Sequence, residues 1–153
     1  MKKMRYVTPQ GVLLAYTPQQ KARFPYPPQG IPVVAPPPII IYEITIDNTA
    51  NAATLYDYQI PIHIVDDAQF FEDCENNPYA PIFVDEDGTE LYFWRRFFKP
   101  DELKAYFWVK VPEIPGSSIK KIYMHIDPTR TEDKSNGKGT FLWFDDFDDG
   151  VLS

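Results

Sequence analysis

In four stretches of this chain, apolar side chains recur at every second position. Tyr42, Ile44 and Ile46 alternate with Glu43 and Thr45, and Tyr58, Ile60, Ile62 and Ile64 alternate with Gln59, Pro61 and His63. Ala105, Phe107, Val109 and Val111 alternate with Tyr106, Trp108 and Lys110, and Ile122, Met124 and Ile126 alternate with Tyr123 and His125. A period of two sends one side of a strand into a core and leaves the other for solvent or a second layer. No stretch carries a sustained 3.6-residue stripe, so helix is confined to short pieces, near residues 66–74 or 129–136. Pro61 has no N–H for a ladder, which puts its strand at a sheet edge or on a bulge. Residues 82–84 run into Asp85-Glu86-Asp87-Gly88 and then 91–98, the pattern of a hairpin turned at Asp-Gly, and 141–144 reads as a last short strand. Short strands punctuated by turn residues predict an all-β fold, a β-sandwich of jelly-roll-like form over residues 39–153.

The first 38 residues are different in kind. They hold nine of the 16 prolines and five basic side chains, Lys2, Lys3, Arg5, Lys21 and Arg23, with no Asp or Glu. Their charge is +5; the other 115 residues carry the remaining ten basic groups and all 22 acids, a charge of -12. Proline fixes φ and removes a donor, so residues 24–38 favour an extended, polyproline-like backbone. An apolar run of only 12–16 after the basic start is too short for a signal-peptide core, so the segment reads as an arm of the mature protein. A basic arm beside an acidic body favours docking on a second copy or on another structural protein. The candidate docking residues are Val12, Leu14, Tyr16, Lys21, Arg23, Phe24 and Tyr26, with the alternation around Leu14 and Tyr16 suited to strand addition at a sheet edge.

The segments ITIDNT, DEDGTEL, VKVPEIP, IYMHIDP and FDDF arrive in an order that resembles a domain-of-unknown-function family, over about residues 40–150. That family is common in surface and secreted proteins of archaea and bacteria and in some viruses, often just before a concanavalin-like or laminin-G-like jelly roll. The aromatic and basic lead-in usual before its first strand is replaced here by Pro36-Pro37-Pro38-Ile39-Ile40, and Ser153 falls where a jelly roll would begin. The resemblance implies a β-sandwich and surface association. It carries no activity and no functional residue.

Candidate chemistry is sparse. His63 and His125 are the two histidines, able to meet at a metal only if the fold brings them together. The lone Cys74 stands between Asp73 and Glu75, where negative charge disfavours a thiolate, and it excludes an internal disulfide. Asp145, Asp146, Asp148 and Asp149, beside Gly150, offer hard oxygens suited to Ca²⁺, although the spacing is not that of an EF-hand; no other cofactor is expected. Asp85 to Gly88 could offer oxygens too, but a hairpin turn explains it better. Among nucleotide, serine-hydrolase and zinc-peptidase motifs none is found, so no enzyme is expected.

Tyr92, Trp94, Tyr106 and Trp108 fall on one face of neighbouring strands. The simpler reading makes that face the second side of a two-sheet core; exposed, it would suit a glycan or a protein partner. Arg95 and Arg96 then emerge near an edge, placed to pair with acids of a neighbour. A body at -12 disfavours nucleic acid, and no apolar run is long enough to span a membrane. The expectation is a non-enzymatic structural subunit of a virion, as a capsid or capsid-decorating protein, or of an extracellular surface assembly. The alternative is a carbohydrate-binding or adhesive accessory module.

Overall fold

A computed structural model of the chain describes residues 38–146, together with the backbone of two strands nearer the N-terminus. Those strands are β1 (Met4–Val7) and β2 (Leu13–Pro18), followed by β3 (Ile40–Asp47), β4 (Leu55–Val65), the helix α1 (Ala68–Asp73) and β5 (Pro81–Asp85). Then come β6 (Phe93–Lys99), β7 (Lys104–Ile114), β8 (Ile119–Ile126) and a single helical turn, α2 (Gly137–Thr140). One sheet runs in the order β1-β2-β3-β8-β5 and the other in the order β4-β7-β6. All pairings are antiparallel. The chain is an all-β sandwich.

The alternating residues make the core. Ile44 and Ile46 of β3 and Ile122, Met124 and Ile126 of β8 face Ile60, Ile62 and Ile64 of β4 and Phe107, Val109 and Val111 of β7, all buried. Phe83, Phe93 and Phe107 meet edge to face at the centre, with centroids 5.2–6.3 Å apart. α1 closes one end by setting Phe70 and Phe71 against Phe98. Asp67 caps it, accepting from the Phe70 N–H. At the other end Asn48, fully buried, donates to the carbonyls of Ala53 and Pro115. Gly116 lies so close to Ala52 that a Cβ would sit 2.1 Å from its carbonyl oxygen.

β4 is the edge of its sheet, which is where Pro61, opposite Trp108, can sit without breaking a ladder. The helix expected near 66–74 is α1; the second helical turn begins at Gly137, after the expected 129–136 stretch, which is mostly irregular.

Two expectations fail. The segment 82–98 is not one hairpin, because β5 pairs with β8 and β6 pairs with β7 in the opposite sheet. A turn does form at Asp85 to Gly88, with the Gly88 N–H on the Asp85 carbonyl and Gly88 at φ +88°, and one bridge joins Val84 to Glu90. Beyond that bridge the chain crosses the sandwich, because Phe83 and Phe93 both reach the core from opposite layers. Nor is 141–144 a strand. Thr140, buried and donating to the Asn136 carbonyl, ends α2, and the chain then bends across the second sheet.

Candidate functional site

Tyr106 and Trp108 alternate with the core residues of β7 and so point away from the sandwich interior, as His63 does on β4. β6 adds Trp94 and, across a bulge that shifts the register between Arg95 and Phe97, Phe97 opposite Tyr106. The bulge lets Trp94 and Phe97, three residues apart, share one face while Phe98 turns inward to pack on the core. The four predicted aromatics do gather on one side of the second sheet. That side is its outer face, not the inter-sheet core.

The face is covered from within the chain. Arg95 binds Asp133 through two parallel contacts of 3.1 and 2.8 Å, and its Nη1 also donates to the Pro78 carbonyl at 2.9 Å. Arg95 therefore takes an acid of its own chain, where an acid of a neighbour was expected. Burial opposes ionisation of Asp133, but the Arg95 guanidinium and the Ser135 N–H outweigh it and hold the carboxyl below its usual range. From there the segment crosses the sheet. The Ser135 hydroxyl accepts from the Arg95 N–H, the Asn136 N–H donates to the Phe93 carbonyl, and Gln59 of β4 donates to the Thr140 carbonyl.

This crossing lays Phe141 and Phe144 on the tryptophans. Trp94 meets Phe144 at 5.0 Å and Phe141 at 6.0 Å between centroids, both edge to face, and Trp108 meets Phe141 at 5.8 Å. The pile continues from Trp108 to Tyr106 and on to His63, whose ring centroid is 3.8 Å from that of Tyr106. Tyr106 keeps only 7% of its surface, while Tyr92 keeps 57%. On the outer side of the segment, Leu142 is fully exposed and Trp143 is 65% exposed. One signal for this was present in FLWF: two anchors three residues apart do not share a face of a strand.

The remaining candidates separate. His125 lies on β8 of the first sheet and His63 on β4 of the second, each on its sheet's outer face, so the two histidines cannot meet at a metal. Burial, with Arg96 beside His63 and Arg130 near His125, lowers the pKa of both. Cys74 is fully buried, and burial with the adjacent Asp73 charge pushes its thiol far above the usual range, the opposite of a nucleophile. Asp85 is held by Lys120 at 2.6 Å at the turn. Among the described residues no three His, Cys, Asp or Glu side chains are grouped to hold a metal ion. Asp145 and Asp146 belong to the described residues, whereas Asp148 and Asp149 lie outside them. None of the described helices is long and apolar enough to cross a membrane.

Of the predicted arm, Leu14 and Tyr16 fall in β2, opposite Ile46 and Ile44 of β3. Val12, Lys21, Arg23, Phe24 and Tyr26 lie outside the described residues.

The fold and this covered aromatic face define the protein as an all-β sandwich that extends one sheet with N-terminal strands and masks the outside of the other with its own chain. Residues 81–153, from β5 to the end of the chain, match the family described as Domain of unknown function (DUF2341), in line with the resemblance carried by the motifs above. Comparison with curated proteins and with solved structures finds no match.

Proposed function

We propose that this chain is a non-enzymatic structural subunit of a virion or an extracellular surface assembly, docking on neighbouring subunits through its N-terminal arm. The observation that supports the reading is that the β3 edge accepts β2 of its own chain, six residues, Leu13 to Pro18, in antiparallel register with Asp47 to Tyr42, a contact that β2 of a second copy can make equally well. Strand addition supplies affinity through main-chain hydrogen bonds and needs little from side chains, which suits a repeated assembly contact. Charge supports it, since a +5 arm and a -12 body attract between copies.

The test is light scattering on the full chain and on a form lacking residues 1–38, across concentration and salt. Assembly of the full chain, weakened by salt, with a folded monomer after deletion, is the expected result. Monomers of the full chain at every concentration would overturn the reading, as would unchanged assembly without the arm.

A glycan-binding or adhesive role is the second reading. Its support is a groove of about 420 Å³ beside Tyr92, lined also by Glu90, Glu132, Asp133, Lys134 and Asn136. An exposed ring among carboxylates and an amide is the chemistry that grips a sugar. Binding on a glycan array that is lost in Tyr92→Ala would favour it.

A further inference from the structure

We propose that β2 is exchanged between copies, so that the β3 edge of one chain is completed by β2 of a second chain in the register seen here. The inference rests on the assembly reading and names its contact. Antiparallel neighbours are ordinarily joined by two to five residues. Here 21 residues, 19–39, separate β2 from β3, and seven of them, Pro25, Pro27, Pro28, Pro32, Pro36, Pro37 and Pro38, are prolines. Adjacent strands lie about 5 Å apart. A proline-rich spacer favours polyproline geometry at about 3.1 Å per residue, so 21 residues reach roughly 65 Å when extended. Bending such a spacer back to close a gap of one strand opposes its own preference; reaching a second copy does not.

The exchanged contact conserves every backbone pair of the closed form, so the two states differ mainly in the spacer and in association entropy.

Register makes the exchange measurable. Ala15 stands directly opposite Thr45, the separation a disulfide needs, and the native Cys74 is fully buried. Ala15→Cys and Thr45→Cys chains are prepared separately, mixed at the assembling concentration and oxidised. The expected result is a covalent pair joining position 15 of one chain to position 45 of the other, identified by peptide mapping. Thr17→Cys, two residues out of register with Thr45→Cys, should give several-fold less. Replacing the seven spacer prolines by Gly and Ser should shift the full chain several-fold toward monomer, a readout that needs no engineered cysteine.

Oligomers in solution with no 15–45 link between chains, and an intrachain link in the double variant, would overturn the exchange and leave assembly standing. Monomers at every concentration would overturn both.

Discussion

Phe144 rests on Gly137: a Cβ added at residue 137 would lie 2.2 Å from the ring's Cζ. The missing side chain is what lets the ring reach Trp94, 5.0 Å away between centroids. Gly137→Ala should push Phe144 aside, with loss of an edge-to-face pair worth about 0.5–1.5 kcal/mol. Tryptophan emission should shift to the red, and the urea midpoint should fall. Gly88→Ala, strained at φ +88° with nothing within 4 Å, should lower the midpoint without moving the emission. Unchanged emission in Gly137→Ala would mean that Phe144 does not shield Trp94.

Tyr42 donates its hydroxyl to the Asp73 carboxylate, joining β3 to the end of α1, and Gln69 donates to the other carboxylate oxygen at 2.9 Å. Tyr42 keeps 1% of its surface. Removal of a buried hydrogen bond to a charged group costs about 1.5–3 kcal/mol. Tyr42→Phe should therefore lower unfolding free energy by that amount in a urea titration. A loss below about 0.5 kcal/mol would mean that other partners satisfy Asp73.

Cys74 should resist thiol reagents in the native protein and react only as the molecule opens. Burial and the neighbouring Asp73 charge both oppose its thiolate. Labelling by an aromatic disulfide should be slow in buffer and rise with urea along the unfolding curve. Rapid labelling in buffer would contradict the burial of Cys74 at the C-terminal end of α1.

Stability should fall in two steps as the solution is acidified. His63 and His125 have lowered folded pKa values, chiefly from burial, so below about 6.5 the unfolded chain binds more protons than the folded one. The urea midpoint should thus be lower at pH 5.5 than at pH 7.5, and replacing both histidines by glutamine should flatten that difference. The second step comes from carboxyls. Asp47, Asp87, Glu102 and Asp133 are held below their ordinary values, so their contribution is present above about pH 4 and is lost as pH falls through the folded values. A midpoint that rises between pH 7.5 and 5.5 would refute the histidine assignment.

Which residues would form the strands and fill the core was legible before any coordinates. Ile44, Ile62, Phe107 and Met124 are buried because alternation is a local property, written in consecutive residues and enforced by the pleat. Pro61 marked its edge for the same local reason, the absence of an N–H. The aromatic set Tyr92, Trp94, Tyr106 and Trp108 was legible as one face, but not which face or what lay over it.

Partnering is not local, and only the tertiary structure decided it. An Asp-Gly turn between two apolar runs announces a hairpin, yet β5 and β6 part into different sheets because β8 and β7 offer each a full-length edge. The bulge at Arg96 reset the alternation in β6 and brought Phe97 to the outer face. Phe141 and Phe144 look like strand residues in isolation and become a cover because Trp94 and Trp108 wait on the sheet they cross. By itself the sequence determined the period, the charge division and the proline spacer, each a property of neighbours along the chain. The sheet each strand joins, and the face that is hidden, follow from contacts between residues far apart in sequence, where burial of the whole set outweighs any local signal.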